Sequence, residues 1–134
     1  MKNYIEEYFK NPNNVMSENI FTFDYWVLTP KDFFKSEDPI QENASIIFKH
    51  IKCKDWFHMS VQASSWHYCE PRITHYSEHS FTYRTMEVWY PSEKVEELMP
   101  YSANAEWVWE WVYWQVPIEL LNEIIEKHWW IINN

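Results

Sequence analysis

Residues 54–64 read Lys-Asp-Trp-Phe-His-Met-Ser-Val-Gln-Ala-Ser, and two features of that stretch set the architecture. Phe57, Met59, Val61 and Ala63 alternate with His58, Ser60, Gln62 and Ser64, the period-two pattern of a strand with one apolar face. Just before it, Asp55-Trp56 joins this strand to the apolar, β-rich run Ser45 to Cys53. Asp-Gly at such a junction is the strongest short hairpin signal. The pattern therefore predicts an antiparallel hairpin in which a tryptophan occupies the glycine place.

Working outward, Phe81 to Trp89 reads as a second strand and Val112 to Val116 as a third. Pro117 suits helix position N1. Ile118, Leu121, Ile124 and Ile125 follow at helical spacing, with Lys127 and His128 at the negative end of the helix dipole. Ser92 is a candidate N-cap for another helix whose apolar face is Val95, Leu98 and Met99, stopped by Pro100. Residues 2–10 form a short amphipathic helix ended by Asn11-Pro12-Asn13-Asn14. Phe21 to Tyr25 alternates as a strand, and Lys31 to Ser36 is open to either reading. Residues 65–80 form a polar, histidine-rich connection, and Ser102 to Trp111 is a loop or strand. The order implies an α+β fold: an antiparallel sheet with two short C-terminal-half helices packed on one face. Residues 1–58 read as an N-terminal extension of helix plus strands, tied to the sheet by the hairpin, and residues 59–134 as the α+β core.

The chain has ten tryptophans and no glycine. An average chain of this length carries roughly nine glycines. The tryptophans stand where glycine is the default: Trp56 in the hairpin turn, Trp129-Trp130 at a helix end, and Trp107, Trp109, Trp111 and Trp114 in one crowded segment. UGA is read as glycine in some genetic codes and as tryptophan in others, so most of these positions are expected to be glycine in the cell. On the alternative reading the tryptophans are genuine and form cross-strand ladders. The codons separate the two.

Net charge is −9, from 20 acidic and 11 basic residues. That argues against non-specific binding to nucleic acid or anionic membrane, which rests on neutralising phosphates. No apolar run approaches the roughly 20 residues of a membrane span, and a cytoplasmic setting is expected. Cys53 and Cys69 then stay reduced, although a bridge between neighbouring strands is an open option.

Val61-Gln62-Ala63-Ser64-Ser65-Trp66-His67-Tyr68-Cys69-Glu70-Pro71-Arg72 resembles the opening of a family of small phage proteins with an Ala-Ser…His-Tyr-Cys-x-Pro-Arg motif. Glu87-Val88-Trp89-Tyr90-Pro91-Ser92, Leu98-Met99-Pro100-Tyr101, Val112-Tyr113-Trp114-Gln115-Val116-Pro117 and Lys127-His128-Trp129-Trp130 continue the resemblance. At Trp89, Trp114, Trp129 and Trp130 the family pattern has glycine. The resemblance covers residues 59–132. It implies a phage protein acting in the host-cell cytoplasm, and associates the chain with anti-defence proteins of the Thoeris anti-defence type, which sequester nucleotide second messengers.

His67, Cys69 and Arg72 form the densest polar cluster. Arginine is the natural bidentate partner of phosphate, and aromatic rings stack on nucleobases. The candidate ligand-binding residues are therefore His67, Tyr68, Cys69, Arg72 and, from the next strand, Arg84, for a small anionic nucleotide-like ligand. Tyr76 and Tyr83 are further candidate stacking residues or core. With glycine at the tryptophan positions, residues 107–114 would form an anion-cradling loop. No cofactor is expected on this reading. In the alternative, His67, Cys69, His75 and His79 hold zinc, or Cys69 and His67 form a nucleophile pair in a small enzyme. A third class is an acidic protein-binding inhibitor. A small core with sheet edges to cover makes a homodimer the expected state.

Overall fold

The computed structural model describes residues 2–21, 27–35, 44–103 and 111–132. The predicted hairpin forms, but Ser60, Gln62 and Ser64 are buried like Met59 and Val61, so its second strand is covered on both faces instead of half-buried, and of the predicted Ser45 to Cys53 strand only Ile51–Lys52 is strand. Strand β3 (Ile51–Lys52) pairs antiparallel with β4 (His58–Gln62), Ile51 opposite Met59. Cys53 N–H donates to Phe57 O at 2.8 Å, which closes a three-residue loop of Lys54, Asp55 and Trp56. Such loops place their last residue in the left-handed region, where glycine is usual. Trp56 occupies that place at φ 76° and is 85% exposed.

Beyond β4 lie β5 (Thr85–Trp89) and β6 (Val112–Pro117), completing a four-stranded antiparallel sheet in chain order. A second, two-stranded antiparallel sheet pairs β1 (Ile20–Phe21) with β2 (Val27–Leu28). The fold is mixed α+β. Most of the predicted Phe21 to Tyr25 strand and residues 104–110, with Trp107 and Trp109, lie outside the described residues. Strand β5 begins four residues later than the alternation suggested. Tyr83 explains the delay: its hydroxyl donates to Ile73 O at 2.6 Å and accepts from His75 N–H, pulling this stretch toward the 65–80 connection.

Helix α1 (Tyr4–Phe9) buries Tyr4, Ile5 and Phe9 and is capped by Asn3, whose side chain accepts from Glu6 N–H. Asn122 ties it to α3 (Ile118–Lys127) by accepting from Ile5 N–H at 3.0 Å. The ambiguous 31–36 stretch is helical as α2 (Pro30–Lys35), with Phe33 and Phe34 buried. Pro117 stands one residue before the first turn of α3, so it closes β6 instead of opening the helix. The segment after Ser92 differs from expectation. It is a 3-10 helix over Glu96–Tyr101, with Leu98 N–H on Val95 O and Ser102 N–H on Met99 O. Pro100 has no N–H and clashes with an α-helical ladder, which leaves the tighter three-residue turn. Ser92 does not cap it; its hydroxyl accepts from His58 N–H.

Ile5 and Phe9 of α1, Phe34 of α2, Phe48, Met59 and Val61 of β4, and Leu121 and Ile125 of α3 belong to one hydrophobic core. Phe9, Phe48 and Tyr76 form its aromatic centre, with ring centroids 4.5 Å (Phe9–Phe48) and 4.8 Å (Phe48–Tyr76) apart. Residues before and after position 58 thus share the same core and the same sheet.

The C-terminus of α3 is a Schellman motif. Trp130 N–H donates to Ile125 O at 3.1 Å and Trp129 N–H to Glu126 O at 3.3 Å. The residue at C′ of this motif is left-handed and is usually glycine. Here it is Trp129, at φ 67°. Among the described residues six have positive φ, and four of these are tryptophan: Trp56, Trp111, Trp129 and Trp130; the others are Tyr90 and Gln115. A Cβ in that region meets the following carbonyl oxygen and costs roughly 1–2 kcal/mol. Tryptophan is also a residue that proteins usually bury, yet Trp56, Trp66 and Trp129 are each about two-thirds or more exposed.

Candidate functional site

The 65–80 connection leaves β4 through a tight turn built on Ser64. Its carbonyl accepts from His67 N–H, its hydroxyl accepts from Trp66 N–H at 3.0 Å, and the same hydroxyl lies 2.6 Å from His67 Nδ1. The turn alternates burial. His67 and Cys69 face inward and Tyr68 faces out. An extended segment presenting His67 and Cys69 together to a ligand is therefore replaced by a turn that encloses both.

Glu87 of β5 lies beneath the turn, 4% exposed, with one carboxylate oxygen accepting from Tyr68 N–H at 3.0 Å. Desolvation holds His67 below the usual imidazole range. The Glu87 charge works against that shift and Arg72 adds to it. Cys69 Sγ lies 3.3 Å from Ser64 O and 3.4 Å from Pro71 O, its single proton shared between the two carbonyls. Burial pushes this thiol up to about 11. At neutral pH it is protonated, and a protonated buried thiol is a poor nucleophile and metal ligand. Cys53 and Cys69 are both free and buried, so the bridge option is not taken.

At the surface, the Arg72 guanidinium lies 4.7 Å from the Tyr68 ring centroid, a cation–π contact. Trp114 of β6 stacks on the same ring at 4.2 Å and 28°. Gln115 anchors the turn to β6, with its N–H on Tyr68 O at 3.2 Å and its side-chain oxygen accepting from Thr85 at 2.6 Å. Among the described residues Arg72 has no carboxylate partner, whereas Arg84 is paired with Glu70.

No protein-family model matches the chain, and neither curated proteins nor solved structures include a significant match. The site's chemistry therefore rests on its own geometry.

Tyr68 and Arg72 come together at the surface, with Trp114 stacked on the same ring, and His67 and Cys69 are buried in the same turn. Arg84 borders the turn at Glu70, which accepts from its backbone N–H and pairs with its guanidinium. Tyr76 and Tyr83 belong to the core, 2% and 4% exposed. His75 bonds Thr82, away from His67, and among the described residues no three His, Cys, Asp or Glu side chains gather into a metal site. No described helix is long and apolar enough to cross a membrane. The residues missed from sequence are Ser64, Glu87 and Gln115; Trp114, expected in an anion-cradling loop over 107–114, lies in β6, and residues 107–110 of that loop are outside the described residues. Glu87 carried one signal, a carboxylate between Met86 and Val88 in an apolar strand.

Proposed function

We propose that the chain is a small phage-type binding protein that sequesters an anionic nucleotide-like ligand in the host-cell cytoplasm. The single observation supporting this most directly is the Arg72 guanidinium, without a carboxylate partner among the described residues, on the Tyr68 ring. That pairing joins a phosphate-seeking group to an aromatic platform. Arg72 takes the phosphate and Tyr68 stacks on the base. Glu87 and Ser64 hold the turn, and His67 and Cys69 shape its floor. Two C-terminal-half helical segments on one face of the sheet, and a homodimer, belong to the same proposal.

The tryptophan positions matter to this site. We read Trp114 as glycine in the cell, and without the indole the ring face that Trp114 covers is free for a planar ligand. A Trp114→Gly chain screened by thermal shift against cyclic nucleotides and dinucleotides is expected to melt higher with at least one, because ligand bound to the native state raises stability. Arg72→Ala in that background abolishes the shift without lowering the ligand-free melting temperature. A shift that survives Arg72→Ala, or none with any nucleotide, overturns the assignment.

A further inference from the structure

A groove of about 1260 Å³ lies where α1, the 3-10 turn at Pro12–Asn14, β3 and residues 130–132 meet. The chain is strongly acidic, yet this groove is lined by Lys2, Lys49, Lys52 and Lys54, four of its nine lysines. The alternation of β3 produces the cluster. Ile51 and Cys53 are fully buried, so Lys52 and Lys54 share the outer face. Lys49 is held in place at its carbonyl, which accepts from the Tyr8 hydroxyl at 2.8 Å.

Lys2 is paired with Glu7, but among the described residues Lys49, Lys52 and Lys54 have no carboxylate partner. The nearby acids are already engaged. Asp55 lies 2.6 Å from His128 Nδ1, and Glu126 accepts from the Tyr4 hydroxyl and from Trp130 Nε1. His50 lines the same groove, its ring 6.1 Å from that of His58. Desolvation, with the charges of His58 and Lys52, holds it below the usual range. In a chain with 20 acidic residues, three lysines that line one groove without a carboxylate partner among the described residues form a positive site.

We propose that this groove is a second binding site, for a ligand carrying several phosphates, held by Lys49, Lys52 and Lys54. Pockets for single small ligands run to roughly 300–1,000 Å³; this groove is larger and suits a row of phosphates. Lys54 lies 5.1 Å above the ring of Trp130, which lines the same groove, and none of the three lysines belongs to the Tyr68–Arg72 site.

Two probes separate the sources of such a ligand: inorganic tripolyphosphate by calorimetry, and a fluorescently labelled oligothymidylate by anisotropy, both at low ionic strength. At least one is expected to bind. A Lys49→Gln/Lys52→Gln/Lys54→Gln variant weakens it about tenfold or more and, for the oligonucleotide, lowers the salt slope by about 2. Binding of tripolyphosphate alone identifies a free oligophosphate; binding of the oligonucleotide alone identifies a phosphodiester strand. The control Lys31→Gln/Lys35→Gln/Lys94→Gln, with the same change in net charge, binds as the parent does. The proposal is overturned if neither probe binds, or if the control variant weakens binding as much as the groove variant. All six lysines are exposed, and matching melting curves confirm that both lysine variants fold.

Discussion

Replacing Trp56, Trp111, Trp129 and Trp130 together with glycine is expected to stabilise the chain by about 3 kcal/mol, and to raise Tm by about 10 °C. Each of these residues sits at φ between 67° and 76°. Removing Cβ relieves roughly 1–2 kcal/mol per site, and the freer unfolded chain returns roughly 0.5–1 kcal/mol of it. Some contacts are lost too. Trp130 donates to Glu126 at 3.2 Å and carries Lys54 5.1 Å above its ring, and Trp111 packs at the core margin. Trp56 has 85% of its surface in water and gives the cleanest single gain. Trp89→Gly is the control. Its strand backbone pairs with Ser60 and Val112, and glycine there loses roughly 0.5–1 kcal/mol. Differential scanning calorimetry reads both. A Trp56→Gly chain that melts below the parent contradicts the assignment.

Gln62→Leu is expected to destabilise the fold by about 3 kcal/mol, measured by urea unfolding. Gln62 is 4% exposed and serves as a one-residue extension of the sheet. Its carbonyl accepts from Phe48 N–H at 2.9 Å, and its amide donates to Phe48 O at 2.9 Å and to Ser60 Oγ at 3.0 Å. Leucine matches the volume but leaves a buried N–H and a buried C=O without partners, each costing about 1–3 kcal/mol. Ser60→Ala removes only the third bond and is expected to lose about 1 kcal/mol. Equal effects from the two variants would mean that packing, and not the Phe48 pairing, is what Gln62 supplies.

These two cases show which parts of the fold a one-dimensional pattern carries. The 54–63 hairpin and α3 were legible because each is periodic and ends in a recognisable turn. The late start of β5 was not, because it depends on Tyr83 reaching back to Ile73 and His75. The 3-10 helix at Glu96–Tyr101 was half legible: Pro100 marked the stop but not the tightening before it. The 65–80 connection looked polar, yet Thr74 and Tyr76 are buried in it, since their hydroxyls find carbonyl partners in Ala44 and Ala63. Within the candidate site, Tyr68 and Arg72 were visible as near neighbours in sequence. Glu87 was hidden because β5 is covered on both faces, which removes the alternation that would mark an inward carboxylate. The lysine groove was invisible for a different reason: Lys2 and Tyr8 meet Lys49 to Lys54 only after α1 packs across the fold.

Four tryptophan positions, 56, 111, 129 and 130, have the left-handed backbone that favours glycine, whereas Trp66, Trp89 and Trp114 do not. The hairpin loop and the Schellman motif each demand a left-handed residue, and each presents tryptophan there. Mass spectrometry of protein from its native source tests this most directly, on the tryptic peptides that begin at Asp55 and at His128. Glycine at positions 56, 129 and 130 is the predicted result. Tryptophan at all three would contradict it, and the chain would then carry its left-handed tryptophans as genuine strain.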